Sequence, residues 1–166
     1  MINAYRIQIR NNIEPGDIED IISLHGTVYA QEYGFDETFE QYVAEPLHKF
    51  AMSHTLREKI WIVEQKHIVQ GCLTVVKSDE TKAQLRWFLL HPDLRSKGIG
   101  KKLLDEAVQF TRENGYTSLF LWTVSILEAA NKLYTHAGFH LTEEKAHTIW
   151  GKPLIEQRFE LDFPSR

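Results

Sequence analysis

A single cysteine, Cys72, occurs in the whole chain, which excludes an internal disulfide. It lies in the apolar run "VQGCLTVV", where a thiol reads as a small buried hydrophobe rather than a nucleophile. Long apolar runs are also missing. Nothing approaches the roughly 18 consecutive apolar residues of a membrane-spanning helix. The opening "MINAYRIQIR" carries charge and lacks the apolar centre of a secretory signal, so a cytoplasmic protein without a membrane partner is expected. Positive charge in excess is absent too. The 19 Lys and Arg are outnumbered by 23 Asp and Glu, and the formal net charge of −4 argues against a nonspecific nucleic-acid binder. No internal repeat or low-complexity segment appears. What remains is an ordinary globular composition, 43% apolar and 25% charged, in 166 residues that suit one domain, 1–166.

The hydrophobic period then sorts the chain into elements. "YRIQIR" (5–10) alternates apolar and polar residues, as a strand does. Pro15 and Asp17 signal a helix start, followed by a stripe of Ile18, Ile21, Ile22 and Val28. A second helix is predicted over 36–55, capped by Asp36, with Phe39, Tyr42, Val43, Leu47 and Phe50 on its apolar face. Pro46 is expected to kink or divide it. Three strand-like runs follow at 59–65, 68–76 and 82–90. Ile99, Leu103, Leu104, Ala107, Val108 and Phe110 recur at helical spacing until Asn114-Gly115. A strand at 117–124, a helix at 125–139 and two strands near 139–145 and 155–162, flanking "WGKP", complete the chain. The order is β-α-α-β-β-β-α-β-α-β-β, an α/β (α+β) class with a mixed, mostly antiparallel sheet of about seven strands and helices on both faces.

The stretch "DLRSKGIGKKLL" places two glycines, Gly98 and Gly100, where a helix begins, among Arg95, Lys97, Lys101 and Lys102. Glycine lowers helix stability by roughly 0.5–1 kcal/mol relative to alanine. The first N–H groups of a helix lack intrahelical partners and sit at the positive end of its dipole. A phosphate fits there, and glycines let it approach the backbone. The P-loop pattern is absent, and the dinucleotide pattern fails at its third position, Leu103.

The longer stretch "FLLHPDLRSKGIGKKLL" resembles motif A of the GNAT acetyltransferase superfamily, through Arg95, Ser96, Lys97, Gly98, Ile99 and Gly100. Downstream, "AANKLYTHAGF" resembles motif B through Ala130, Leu133, Tyr134, Gly138 and Phe139. The element order is similar to the GNAT fold along nearly the whole chain. The resemblance implies acetyl-CoA as acyl donor and no metal. It implies that the backbone amides of residues 95–101, ending at Lys101, bind the diphosphate. It also implies that the pantetheine arm pairs with the main chain near Phe88 and Leu90, where a bulge splays the strand from "TSLFLWTV". The Asn often found seven residues before the motif-B Tyr is Leu127 here, and Asn131 is off register by four, so a side-chain contact often made to the cofactor is either missing or supplied elsewhere, with Ser125 a candidate. "YAQEYGFDETFE" with "WGKPLIEQRFELDF" is similar to the acetyltransferase half of bacterial MarR–GNAT fusions, here without their DNA-binding part.

The resemblance implies transfer of acetyl to a primary amine by direct attack in a ternary complex. An amine with a pKa near 10.4 is almost wholly protonated at neutral pH, so a base or water chain must deprotonate it. Tyr134 is the general acid that the family pattern implies, against the alternative of a packed core aromatic. Glu32 and His147 are the candidate bases, each set against a structural or surface role. Arg86 is a candidate partner for an acidic acceptor, against a solvated sheet face. His136 and His140 are four apart, but Gly138-Phe139 interrupts them and no Cys or carboxylate cluster completes a metal site. Trp61, Trp87, Trp122 and Trp150 read as sheet or pocket packing, Trp150 beside Gly151 being a candidate for the acceptor wall. The competing function is a non-enzymatic acyl-CoA sensor or interaction module. The acceptor, small molecule or protein, and the oligomeric state, a homodimer among the options, stay open.

Overall fold

The computed structural model describes residues 6–164, whose seven strands form one sheet in the order β1-β2-β3-β4-β5-β7-β6. The strands are β1 (Gln8–Arg10), β2 (Lys59–Gln65), β3 (Ile68–Lys77), β4 (Lys82–Leu90), β5 (Ser118–Val124), β6 (His140–Ile149) and β7 (Lys152–Asp162). The helices are α1 (Asp17–Tyr33), α2 (Glu37–Ser53), α3 (Ile99–Glu113) and α4 (Glu128–His136). Only β4 and β5 pair in parallel. The fold is the expected one, with small shifts at its edges. The strand anticipated at 5–10 shortens to β1, and Tyr5 lies outside the described residues.

Two apolar clusters sandwich the sheet. Leu103, Leu104 and Ala107 of α3 and Tyr134 of α4 pack with Val63, Leu73 and Leu85 on one face. Ile21, Phe39, Val43, Leu47 and Phe50 of α1 and α2 pack with Ile60, Ile62 and Cys72 on the other. Helical stripes and strand alternation in the sequence map onto these two faces.

Pro46 does not divide its helix: α2 runs unbroken through it. Buried Val43 and Leu47 on either side of Pro46 hold both halves against one core, and this packing outweighs the missing N–H. The final hairpin is tighter than the sequence suggests. Its turn is only Trp150-Gly151, both with positive φ (53° and 81°), while Ile149 and Lys152 already pair. Pro153 is tolerated in β7 because β5 pairs with that strand only from Glu156 onward. The helix expected over 125–139 is trimmed to α4, and Leu127 at its start provides no side-chain cap.

The feature that positions the site is the parting of β4 from β5. They pair only through Lys82–Ser118, Ala83–Leu119 and Gln84–Phe120. Beyond Gln84, β4 has no strand on that side among the described residues. A bulge at Trp87 accompanies the parting. β4 places three residue steps between Arg86 and Leu89 where β3 places two between Thr74 and Cys72, and Trp87 has φ 50°. The extra residue flips the strand's parity. Leu85 faces the α3 cluster, Trp87 the α1–α2 cluster, and Phe88 and Leu90 the α3 cluster again. Cys72 donates its thiol proton to the Trp87 carbonyl at 2.9 Å, and burial pushes its pKa far up, as suits an inert core thiol. Opposite the bulge, a Cβ on Gly71 would lie 2.6 Å from the Leu89 carbonyl, so only glycine fits.

Candidate active site

Helices α1 and α2 open on acids: Asp17, Glu19 and Asp20 in the first, and Glu37 and Glu40 in the second, whose N-cap Asp36 also accepts from the Thr38 amide. Helix α3 has no acid in its first turn and no side-chain cap. Its first intrahelical bond runs from the Lys102 N–H to the Gly98 carbonyl at 3.1 Å, so the amides of Ile99, Gly100 and Lys101 precede the ladder. Its positive end is left for an anion from outside. Ser96 (φ 60°) and Gly98 (φ 79°) bend the chain into this start. Space around Gly98 is open, so it is the left-handed backbone that calls for glycine there.

A cleft of about 410 Å³ begins at this loop. Ser96, Gly98, Gly100 and Lys101 border one end, the β4 edge from Phe88 to Leu90 forms a wall, and Leu127 and Leu133 face it. A Cβ on Gly100 would sit 3.6–3.7 Å from the side chains of Leu90, Leu133 and Phe88. Where β4 and β5 part there is a second cavity, of about 110 Å³. Both spaces share Tyr29, Phe88 and Leu127 as walls. The second is aromatic: Trp150 packs on Phe39 (4.9 Å), Phe35 (5.2 Å) and Tyr42 (5.3 Å). Its polar members include His25, Gln84, Arg86, Thr123, Glu156 and the phenols of Tyr29, Tyr42 and Tyr134.

Tyr134 reaches this cavity from α4, 6% exposed, its ring against Phe139 (5.9 Å) and Phe88 (6.3 Å). Burial, with a smaller contribution from Tyr29, holds its pKa well above the ordinary phenol value, so it stays protonated. The two candidate bases part company. Glu32 is tied to Arg95 at 2.8 Å and does not line the cavity. His147, on β6, pairs at 3.4 Å with Glu156, which does. Arg95 also donates from Nε to the Leu90 carbonyl (3.1 Å), so it braces the loop against β4 and α1. Lys101 pairs with Asp105 at 2.7 Å, whereas Lys97 is exposed with no ion pair among the described residues. Ile99 packs into the α3 core. Asn131 ties α4 to β5, accepting from Thr123 (3.0 Å) and donating to the Val124 carbonyl (3.1 Å), while Leu127 lines both spaces as an apolar wall. Ser125 lines neither.

Sequence reading missed His25 and Glu156. His25 continues the Ile21–Val28 stripe and is 3% exposed, its Nδ1 bonded to the Ile21 carbonyl at 2.8 Å. Burial lowers its pKa to about 4, so it is neutral at pH 7. A histidine on an otherwise apolar helical stripe was the available signal. Glu156 carried none, because only strand pairing brings β7 beside β5.

The model of the acetyltransferase (GNAT) family matches residues 20–139, from α1 through the loop to the end of α4. An uncharacterized N-acetyltransferase of Schizosaccharomyces pombe is 28% identical over 80% of this chain and 82% of its own length. Escherichia coli YjgM, also an uncharacterized N-acetyltransferase, is 34% identical over 63% of this chain, which spans 58% of that relative. Among solved structures, the acetyltransferase YncA of Salmonella typhimurium, solved with its cofactor acetyl-CoA, superposes with a TM-score of 0.76 over 99% of this chain and 96% of its own, at 18% identity. The matched segment contains the loop at the start of α3, the parted strands and Tyr134, and on this evidence the chain belongs to the GNAT family of N-acetyltransferases.

Proposed function

We propose that this protein, acting as a single domain, moves the acetyl group of acetyl-CoA to a primary amine by direct attack in a ternary complex. The observation that carries this reading is a pair of adjoining spaces that share Tyr29, Phe88 and Leu127 as walls. Together they trace a path from the unpartnered amides at the start of α3, along the free edge of β4, to an aromatic cavity with a buried phenol. The donor's chemistry fits each part. Its diphosphate suits the acid-free helix start, and its extended amide-bearing arm suits a strand edge with no neighbour. YncA, of the same fold, holds acetyl-CoA.

Bound there, acetyl-CoA supplies a thioester whose carbonyl carbon accepts the amine. The N–C bond forms, the C–S bond breaks and the thiolate takes a proton from the Tyr134 hydroxyl. The amine's own proton leaves through solvent or through the His147–Glu156 pair at the cavity wall, and the Tyr134 phenolate regains a proton from solvent before the next turnover. Phe88 and Leu90 hold the arm through their main chain, Arg95 fixes the loop that carries the amides, and Lys97 attracts the phosphates.

Gly100→Val tests the path. The backbone at this position is not left-handed, and a Cβ meets only flexible side chains at ordinary distance, so the variant folds. Its branched side chain fills the cleft beside Phe88 and Leu133. Acetyl-CoA binding is expected to weaken at least tenfold, about 1.4 kcal/mol. Unchanged affinity by calorimetry in a folded variant overturns the assignment.

Lys97→Gln separates charge from shape. It should weaken coenzyme A binding at low salt and flatten its salt dependence, while leaving an uncharged pantetheine fragment unaffected. Equal losses for both ligands would remove Lys97 from the phosphate site.

A further inference from the structure

Among the described residues, the half-buried arginines are matched with carboxylates, with one exception. Arg10 binds Asp17 and Glu64, Arg57 binds Glu80, Arg95 binds Glu32 and Arg158 binds Glu160. Arg86 is equally half-buried, yet among the described residues it has no ion pair and no hydrogen bond. Its guanidinium lies over the Trp87 ring at 4.8 Å and the Tyr42 ring at 5.8 Å. Both rings line the aromatic cavity, as Arg86 does. Arg86 also borders a groove of about 530 Å³ beside α2, which leaves it reachable from outside.

Such an arrangement has a chemical meaning. Stacking on two rings favours the cation and fixes its plane, but it satisfies none of the five N–H donors. A fixed, planar fork with free donors matches a carboxylate bidentately. Glu156 lines the same small cavity and presents the opposite charge, shared with His147. A cavity with one free cation, one carboxylate and aromatic walls is complementary to a zwitterion with an apolar body. Resting on the acetyltransferase reading above, we infer that the acceptor is an amino acid or a close analogue. Its carboxylate is held by Arg86, and its amine is directed toward the parting of β4 and β5, where Tyr134 lies.

The test pairs each of the twenty L-amino acids with its own carboxamide as acceptor, with acetyl-CoA as donor and released thiol as the readout. Each pair shares its side chain and α-amine and differs at the carboxyl group; the carboxamide's amine is the less basic, which works against the expected preference. For the amino acids that are turned over, wild-type kcat/KM should exceed that of the carboxamide by about tenfold or more. Arg86→Ala should bring the two within about twofold of one another, with the loss seen as a raised KM for the acid. Arg86→Lys, which keeps the charge and loses the fork, should fall between. Acetyl-CoA affinity, read by calorimetry on every variant, shows that the protein is folded and that the donor site is intact. A wild type that acetylates carboxamides as well as acids overturns the inference, as does an Arg86→Ala variant that keeps the preference. Acetyl-CoA binding with no amino acid turned over overturns it as well, and leaves the donor assignment standing. Failure to bind acetyl-CoA at all overturns the acetyltransferase reading itself.

Discussion

Replacing Tyr134 by Phe is expected to lower kcat by about 10²–10⁴ with little change in acetyl-CoA affinity. The substitution keeps the ring and removes only the O–H. That ring is the part that packs, against Phe88, Phe139 and Phe159. The hydroxyl donates to no protein group among the described residues, so its removal breaks no internal hydrogen bond. Stability should therefore stay within about 0.5 kcal/mol of wild type, as for substitutions that touch no structural contact. A phenol whose pKa is raised by burial is a weak acid toward water, but a leaving thiolate in the same dry cavity is a stronger base than it is in solution. In the proposed role, the proton is held until the C–S bond breaks. Steady-state kinetics on a verified acceptor, with thermal melting as the control, checks the role. A folded variant that keeps more than about a third of wild-type kcat rules it out where chemistry limits turnover.

Acid should destabilise the protein through His25 before it reaches most carboxylates. In the fold this imidazole takes up no second proton until pH falls to about 4, against 6.5 for the ordinary group. Between those values the unfolded chain binds the extra proton, so the stability falls as pH falls through that window and levels off, for this group, below about 4. At 1.36 kcal/mol per pH unit, the gap amounts to about 3 kcal/mol. Asp17 and Glu160 have lowered pKa values, and their contributions are lost at lower pH, as each carboxylate protonates. Urea unfolding at pH 7, 5.5 and 4.5 on wild type and His25→Gln measures the effect. The comparison is between slopes, so packing losses that are equal at all three pH values drop out. His25→Gln should be flatter across the window by most of that amount, and parallel curves would show that His25 does not set the dependence.

Local signals in the sequence mark local structure. Glycines at a helix start, the switch between periods of 3.6 and 2, and the motif around Tyr134 lie within short stretches, and each found its element. The strands β2–β4 were readable as well, because they follow one another through short turns, though their register was not. What escaped was built by residues distant in sequence. The pairing of Glu32 with Arg95 joins α1 to the loop across 63 positions, and nothing in either neighbourhood announces it. Glu156 becomes a wall of the cavity only through strand pairing, and His25 only because α1 lies over the parted strands. The continuity of α2 through Pro46 was lost to local rules for the same reason: tertiary packing decided it.

The hairpin tip has one more consequence. The Trp150 carbonyl accepts from the Asp36 amide at 3.1 Å, and the Lys152 ammonium donates to the Tyr33 carbonyl at 2.6 Å, so the tip is fastened to the junction between the first two helices. Everything that borders the donor cleft has been synthesised by Leu133, whereas the neighbouring cavity waits for Trp150 and Glu156. The two binding spaces thus mature at different moments in the life of the chain, the second only when its last tenth docks onto its first quarter. Inheritance can act on them separately in the same way. On the proposed function, a lineage that altered only the final hairpin would change what is acetylated and leave untouched the apparatus that delivers the acetyl group.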